Sequence, residues 1–354
     1  MLPWLSGVAA DPGRVHTEGR LARAVVEDAR DRVAALFGAR SREVVFTSGA
    51  TEAIAAAVWG ATERGEHLVV PAVEHSAVRD SSARFSVTVV GVDRLGRVDP
   101  DEAVAAIRPG ETALVHVQWA NHEVGTVQPV HEVVAACRER GVLVHVDAAA
   151  AAGHVPVDFI GLGADLMSVS AHKLGGPPGI GALLVRRGLR LRPLLVGGEQ
   201  ERARRAGMEN VPAIVGFGAA AEALCRPGAL AGEAARNRSQ TDAVVAAATA
   251  VAGVQTFGDP VHRLPHLVCF GVDGVEAEPV LLGLDQAGVA VHSGSSCSSE
   301  TLEPSPVLEA MGVPAERSLR VSVGWSTTDA DVDAFVRAFP LVVERLRSLR
   351  SGSG

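Results

Sequence analysis

The sequence predicts an α/β fold built on a largely parallel sheet of about seven strands, with helices on both faces. Seven short runs rich in β-branched residues lie between residues 43 and 185. Most of these runs are almost continuously apolar, as strands buried on both faces should be. Helical patterns fill several of the gaps between them, and alternation of strands with helices is typical of parallel sheets.

Each element follows from its own local pattern. The predicted strands are Glu43–Thr47, His67–Val70, Ser86–Val90, Ala113–Val117, Val142–Val146, Leu166–Ser170 and Gly181–Val185. The predicted helices are Glu18–Phe37, Thr51–Arg64, Pro100–Ile107 and Val130–Arg140. After about Gly232 longer helices with few strands follow. We therefore predict a large α/β domain over residues 1–232 and a smaller C-terminal α+β domain over 233–354.

Composition narrows the class of protein. The 354 residues are 47% hydrophobic and 21% charged, which suits a large core and argues against disorder. The net charge is −8 without a basic stripe, so we expect no nucleic-acid partner. No apolar run has the length of a membrane span, no signal peptide is recognisable, and the four cysteines lack metal-site or disulfide spacing. We expect a cytoplasmic protein with no membrane contact and no metal.

Lys173 stands out because it is the one lysine among 33 lysine and arginine residues. Arginine replaces lysine wherever only positive charge is needed, but a guanidinium stays protonated and cannot act as an amine nucleophile. A lysine in a chain that otherwise avoids lysine is therefore a candidate for Schiff-base chemistry. The alternative is a chance survivor of a codon bias that favours arginine.

Small and polar residues follow the first predicted strand, where ligands bind in parallel sheets. Residues 48–52 read Ser-Gly-Ala-Thr-Glu and lead into a predicted helix, including Ala50 and Thr51. Small residues let the backbone approach an anion, and a helix N-terminus offers free N–H groups, so this segment suits a phosphate. An ordinary helix cap explains the same residues.

Further polar residues follow other predicted strands. His75 comes after the second strand, Asp147 ends the fifth, and Ser170, His172 and Lys173 follow the sixth before a glycine- and proline-rich loop. A buried carboxylate at a strand end needs a cationic partner, although Asp147 by itself is equally a structural cap. An imidazole, an acid, a lysine and a phosphate cradle together match the needs of pyridoxal 5'-phosphate (PLP).

The chain also resembles a known family, the cysteine desulfurases of the class V aminotransferase group of fold-type I PLP enzymes. The segments that carry the resemblance span nearly the whole chain in the family's order: 46–52, 74–75, 121–126, 144–148, 170–173 with its Gly-Pro loop, 293–298 and 302–305. The last two, Ser-Gly-Ser-Ser-Cys-Ser and Leu-Glu-Pro-Ser, are the ones that distinguish desulfurases from other class V members.

The resemblance implies a role for each matching residue. It implies a PLP Schiff base on Lys173, Asp147 at the pyridine nitrogen and His75 stacked on the ring and shuttling protons. It implies further cofactor contacts from Ala50, Thr51, Ser170, His172 and His122. It also implies that Arg320 and Asn121 bind the substrate, with the guanidinium fork of Arg320 on its carboxylate.

Cys297 is the predicted nucleophile. It alone among the cysteines lies in a Ser/Gly loop, whereas Cys137, Cys225 and Cys269 occupy apolar patterns and are expected to be buried. The resemblance implies conversion of L-cysteine to L-alanine, with sulfur held on Cys297 as a persulfide for a sulfur acceptor, in a homodimer. An inert loop thiol, another class V lyase or aminotransferase, and a weakly active or non-catalytic dimeric sulfur-transfer partner are the alternatives.

Four positions depart from the family pattern, one of which is Glu199, where a Gly-Gly-Gly segment of the family reads Gly197-Gly198-Glu199. His122 replaces an asparagine, Ala150 a cofactor-binding glutamine, and Met208 a threonine that reaches the partner's phosphate. Residues 1–5 match the interior of the family's opening segment, so we expect that the N-terminal segment is truncated. Each lost cofactor hydrogen bond costs on the order of 1 kcal/mol, so weakened rather than abolished PLP binding is expected.

Overall fold

The computed structural model describes residues 1–6, 10–294 and 304–351. The chain forms two compact units. The first contains Met1–Val90, Asp99–Trp119 and Pro129–Leu230, and the second contains Gly91–Val98, Ala120–Gln128 and Ala231–Gly354. The division into domains 1–232 and 233–354 stays a prediction. In the structure, two short segments of the range 1–232, namely Gly91–Val98 and Ala120–Gln128, belong to the same compact unit as the C-terminal residues.

The first unit is built on a seven-stranded sheet, as the sequence predicts. The strands are β1 (Val44–Thr47), β2 (His67–Pro71), β3 (Ser86–Val90), β4 (Thr112–Gln118), β5 (Leu143–Asp147), β6 (Leu166–Ser170) and β7 (Gly181–Val185). Their order across the sheet is β1-β7-β6-β5-β4-β2-β3. All strands run parallel except β7, which is antiparallel to both neighbours. The mostly parallel sheet is therefore confirmed.

The direction of β7 follows from its short connection to β6. Parallel neighbours require a crossover of a dozen or more residues, usually a helix. Between Ser170 and Gly181 the chain forms only a 3₁₀ helix (Ala171–Leu174) and a tight loop. A connection of this length returns the chain alongside β6 in the opposite direction, which in turn places β1 parallel to β6.

Nine helices of the described chain accompany this sheet. They are α1 (Leu2–Ser6), α2 (Thr17–Leu36), α3 (Ala50–Ala61), α4 (Ser76–Ser82), α5 (Pro100–Ala105), α6 (Val130–Glu139), α7 (Phe159–Leu162), α8 (Gln200–Ala203) and α9 (Val211–Leu224), with a further 3₁₀ helix at Ser41–Glu43. The helix α2 buries Ala22, Val26, Ala29 and Val33, which are spaced three or four residues apart. This spacing forms one apolar stripe, and the stripe packs on α9.

The second unit combines a small antiparallel sheet with long helices. Its strands are β8 (Val254–Phe257), β9 (Leu267–Val272), β10 (His292–Ser293) and β11 (Ser318–Ser322), in the order β10-β11-β9-β8. Its helices are α10 (Ala229–Thr249), α11 (Ala277–Gln286), α12 (Pro306–Ala310) and α13 (Asp329–Ser351), with a 3₁₀ helix at Ala315–Arg317. Phe270, Phe335 and Phe339 pack ring against ring in its core.

Length and hydropathy decide whether any of the described helices could cross a membrane. No single helix is long and apolar enough to cross a bilayer. The helices α9 and α10 meet the criterion only as a pair, and the pair is bent by 79°.

A buried ion pair ties α2 to the segment around α8. The Arg30 guanidinium donates to both carboxylate oxygens of Glu201, at 2.6 and 2.7 Å, and both side chains are almost fully buried. Glu201 also accepts the Phe46 N–H of β1 at 2.9 Å. The backbone at Glu201, Arg202 and Ala203 has positive φ, a conformation that costs L-residues about 1–2 kcal/mol each. The pair therefore holds a strained turn against the first strand.

Substituting Glu201 with alanine is expected to lower the free energy of unfolding by about 3–5 kcal/mol, because Arg30 keeps its charge in the core and retains, within the described chain, only the partly exposed Glu27 carboxylate, 3.4 Å from its Nε. Urea unfolding followed by circular dichroism measures the change. Glu199→Ala removes a neighbouring exposed carboxylate and is the matched control. Equal stability of the two variants would contradict this role for the ion pair.

Two buried histidines face each other inside the sheet. Nδ1 of His116 on β4 lies 3.0 Å from Nδ1 of His145 on β5, and both rings are fully buried. Neither Nε2 atom has a hydrogen-bond partner among the described residues. Burial lowers the pKa of His116 to about 3, and burial together with the His116 charge holds the pKa of His145 well below its ordinary value. The pair is therefore neutral in the folded protein.

This pair predicts loss of stability in acid. A histidine whose pKa is lowered by folding stabilises the fold fully above its unfolded pKa of 6.5, and that contribution is lost as pH falls toward the folded pKa. At pH 5 the contribution lost by His116 alone is about 2 kcal/mol. Denaturant unfolding at pH 7 and pH 5 should show a smaller difference for the His116→Leu/His145→Leu double variant than for the unsubstituted protein. An identical difference would show that other groups carry the pH dependence.

Candidate active site

The carboxyl ends of β1, β2, β4, β5 and β6 lie at one edge of the large sheet, since these strands run in the same direction. Ligands in α/β folds bind beyond this edge. Several residues predicted from the sequence follow these strands in the first unit: Ala50, Thr51, His75, Asp147, Ser170, His172 and Lys173. The topology therefore gathers them along one edge.

Asp147 is the last residue of β5 and is buried. Its Oδ1 accepts hydrogen bonds from Ser168 Oγ at 2.8 Å and from the Ala149 N–H at 3.1 Å, and its main-chain oxygen accepts from the Trp119 N–H. No cationic side chain of the described chain forms an ion pair with it. A buried carboxylate held by uncharged donors suits a cationic ligand group, because the cation offsets the cost of burying the charge.

His75 is fixed by its position at the start of α4. Its Nδ1 accepts the Ala77 N–H at 3.0 Å, so in the neutral ring the proton lies on Nε2. The preceding Glu74 is buried, and its carboxylate accepts the Gln118 N–H at the end of β4. The hydrogen bond from Ala77 orients the His75 ring and makes Nε2–H the donor of the neutral ring.

Lys173 lies in the 3₁₀ helix that follows β6, and its side chain is exposed. Ser170 Oγ and His172 Nδ1 are 2.9 Å apart. Burial, and then the charge of Lys173, lower the pKa of His172. Gly175 ends the helix with φ of 85°, a left-handed conformation that glycine adopts without a steric cost. Ser170, His172 and Lys173 are therefore brought together by one tight turn.

The N-terminus of α3 lies beside this turn. Gly49 precedes the helix and contributes no side-chain cap, so the N–H groups of Ala50 and Thr51 have no capping side chain from that position. A Cβ built on Gly49 would come 3.8 Å from Ser170 Oγ, and one built on Gly181 would collide with the Gly49 backbone at 2.7 Å. These small residues let two backbones and a hydroxyl converge, an arrangement suited to a phosphate.

Three predicted residues belong to the second unit. Arg320 on β11 donates from Nη1 to the His122 carbonyl at 3.0 Å. Asn121 is buried, and its Oδ1 accepts the N–H groups of Glu123 and Val124 at 2.8 Å. His122 Nε2 lies 3.5 Å from the Glu123 carboxylate. Arg320, Asn121 and His122 are therefore neighbours, and Asn121 shapes the turn that carries the other contacts.

Ser305 makes a contact that the sequence did not reveal. Its hydroxyl donates to the buried Glu123 carboxylate and accepts the Leu308 N–H at the start of α12. Two of the recognised segments, 121–126 and 302–305, thus meet through one hydrogen bond. The serine in Leu-Glu-Pro-Ser was visible in the sequence, but its partner lies 182 positions away.

Cys297, the predicted nucleophile, lies outside the described residues. The other cysteines are poor sources of thiolate: burial raises the pKa of Cys137 to about 12, and burial likewise raises the pKa of Cys269 and Cys225. The expectation of burial is correct for Cys137 and Cys269 and wrong for Cys225, which is exposed. Cys225 follows the last turn of α9, so it leaves the buried face of that helix.

The residues along the edge of the first unit fit PLP. The buried Asp147 carboxylate has no cationic partner there, the α3 N-terminus offers N–H groups to a phosphate, and Lys173 supplies a primary amine. A pyridine nitrogen, a phosphate and an aldehyde match these three groups in turn. The described residues contain no group of His, Cys, Asp and Glu suited to a metal ion.

Comparison with known proteins shows the family of this chain. The family model Aminotransferase class-V matches residues 4–335. A cysteine desulfurase of Nostoc sp. is 41% identical over 99% of this chain and 90% of its own length. A solved NifS-like protein is 30% identical with a TM-score of 0.88, covering 98% of this chain and 93% of its own. SspA, solved in complex with cysteine, is 28% identical with a TM-score of 0.80, covering 91% and 93%. The chain therefore belongs to the class-V aminotransferase family and, within it, to the cysteine desulfurases.

Proposed function

We propose that this protein is a PLP-dependent cysteine desulfurase that converts L-cysteine to L-alanine and transfers the sulfur to Cys297 as a persulfide. The observation that carries the proposal is that the chain's single lysine and the buried Asp147 carboxylate, which has no cationic partner among the described residues, lie at the same edge of the sheet. The relatives that are 41% identical over almost the full chain supply the reaction class. SspA binds cysteine, which supports L-cysteine as the substrate.

Bound PLP supplies an electron sink that stabilises negative charge at the substrate Cα. The protein's part is to hold the reactants and move protons. Lys173 would hold the cofactor through its amine, and the same amine would serve as the base for the Cα proton. Asp147 would hold the pyridine nitrogen through Oδ2, because Ser168 and Ala149 both donate to Oδ1.

Substrate handling follows from the remaining residues. The Arg320 guanidinium binds the substrate carboxylate through a paired hydrogen bond. His75 offers its Nε2–H to the reacting groups, since its Nδ1 is occupied by Ala77. The Cys297 thiolate attacks the substrate sulfur: an S–S bond forms, the C–S bond breaks with its electron pair on carbon, and protonation of that carbon yields alanine. A thiol acceptor then takes the terminal sulfur from Cys297.

The proposed assembly is a homodimer. Three apolar side chains of the loop region between β7 and α9 are exposed, namely Leu195, Val196 and Met208. Apolar side chains that cluster in one surface segment are typical of an interface between subunits. Sedimentation of the purified protein tests this directly, with a dimer expected and a monomer at micromolar concentration contradicting it.

Product analysis tests the proposed reaction. PLP-loaded protein is incubated with L-cysteine and dithiothreitol, and amino acids, keto acids and sulfide are quantified. Alanine and sulfide in equal amounts are expected. Pyruvate and ammonia with sulfide would identify a lyase that eliminates sulfide from the substrate, and recovery of unchanged cysteine would identify a non-catalytic sulfur-transfer partner.

A further inference from the structure

His154 contacts the main chain of Lys173. The residues after Asp147 form a tight turn in which the His154 N–H and the Val155 N–H both donate to the Ala151 carbonyl. This turn brings His154 back against the 3₁₀ helix that carries the lysine. His154 Nε2 lies 3.0 Å from the Lys173 carbonyl oxygen.

The chemistry of the two groups fixes which of them donates the hydrogen bond. A carbonyl oxygen only accepts, so His154 donates from Nε2–H. Burial lowers the pKa of His154, and the Lys173 charge lowers it further against the opposing effect of the hydrogen bond. The half-buried ring is therefore a neutral donor beside the lysine.

The two segments are also in close backbone contact. Gly153 has φ of 83°, and a Cβ at this position would come 2.4 Å from Leu174 Cβ. The last carbonyl groups of a short helix have no partner within the helix. The turn that begins at Asp147 supplies that partner for Lys173 and sits against the next residue, so the lysine peptide is held from a second segment.

We propose that His154 is a positioning residue for Lys173. By holding the Lys173 carbonyl, His154 fixes the main chain from which the lysine side chain extends, so that the amine is in place to react with the cofactor aldehyde. This role rests on the proposed function, because it assigns PLP to Lys173. His154 connects the lysine to the turn that follows Asp147, so Asp147 and Lys173, the two residues that would hold the cofactor, share one hydrogen-bonded frame. Misplacing a reacting group by about 1 Å lowers the rate by up to roughly a hundredfold.

The test compares His154→Leu, which removes the donor, with His154→Gln, which keeps a neutral N–H donor. His131→Leu removes an exposed histidine of the same unit and is the control. Apo protein is mixed with PLP, the attachment is reduced with borohydride at timed intervals, and the Lys173 peptide is quantified by mass spectrometry. We expect attachment to be slowed roughly tenfold or more in His154→Leu and largely restored in His154→Gln.

A second measurement separates positioning from a structural role. In a Lys173→Ala background no attachment is possible, so PLP affinity there reports the phosphate and pyridine contacts alone. His154→Leu should leave that dissociation constant unchanged. A loss of affinity in this background equal to the loss of attachment rate, or an unchanged attachment rate in His154→Leu, would overturn the proposal.

Failure of the proposed desulfurase function can be distinguished from failure of the positioning role of His154. Protein that attaches PLP at Lys173 with the expected dependence on His154, yet releases no alanine from L-cysteine, supports the positioning role and contradicts the desulfurase. Alanine release by a His154→Leu variant whose attachment rate is normal supports the desulfurase and overturns the positioning role. Protein that never attaches PLP overturns both.

Discussion

Lys173→Ala is expected to abolish covalent attachment of PLP and to lower alanine formation by roughly a thousandfold or more, since removal of a covalent catalyst eliminates its whole pathway. The chain offers no substitute, because Lys173 is its one lysine and its arginines stay protonated. The buried Asp147 carboxylate and the α3 N-terminus are untouched, so noncovalent PLP binding should persist. Borohydride reduction followed by peptide mass spectrometry measures attachment.

Lys173→Arg is the matched variant, since it keeps the positive charge and loses the reactive amine. It should behave as Lys173→Ala does in attachment and turnover. Lys173 does not carry the cofactor if either variant still forms alanine and still gives a borohydride-reduced PLP adduct, which would then lie on another residue.

Cys297→Ala is expected to eliminate the protein persulfide and to lower cysteine-dependent alanine release by roughly a hundredfold or more, because no thiolate remains to attack the substrate sulfur. Attachment of PLP to Lys173 should be unchanged. The exposed Cys225 supplies the control, and Cys225→Ala should turn over normally. Buried Cys137 and Cys269, whose thiol pKa values are raised, should not replace Cys297.

Persulfide is measured by alkylation and mass spectrometry after addition of L-cysteine without reductant. Full alanine release by Cys297→Ala would contradict the assignment of Cys297 and favour direct elimination of sulfide from the substrate. Loss of activity in Cys225→Ala would instead indicate that Cys225, at the end of α9, is the nucleophile.

Much of the large sheet was predictable because its strands are short, apolar and separated by helical patterns. The predicted strand Ser86–Val90 has the observed bounds, and Ala113–Val117 is one residue short at each end of β4. Strand direction is a harder property, and β7 is antiparallel because its connection is too short for a crossover. The hydrophobic pattern reports burial of a strand but not the direction of its neighbour.

Long-range pairing accounts for what the sequence did not reveal. The segment 120–128 groups with the second unit because Thr126 pairs with Arg263, and Ser305 donates to Glu123. Neither contact has a local signal. The exposure of Cys225 likewise depends on where α9 ends: Cys225 comes directly after the last helical residue, Leu224, and a sequence pattern does not locate a helix end to one residue.

Part of the site was predictable because it follows strand ends. Asp147 and Ser170 end β5 and β6, and Lys173 follows within one turn, so the parallel topology alone places them at one edge. The hydrogen bond from His154 to the Lys173 carbonyl required the structure, because it depends on how the turn after Asp147 folds back. The facing rings of His116 and His145 depend in the same way on the register of β4 with β5.

One single-turnover measurement tests the central claim most directly. PLP-loaded protein receives one equivalent of L-cysteine per active subunit without added reductant, so that no excess thiol removes the sulfur, and alanine and the Cys297 persulfide are quantified in the same sample. The desulfurase account predicts that both appear in equal amounts and stop at about one per active subunit, because each Cys297 accepts one sulfur before it needs an acceptor. Alanine without a persulfide on Cys297, or pyruvate in place of alanine, would contradict it.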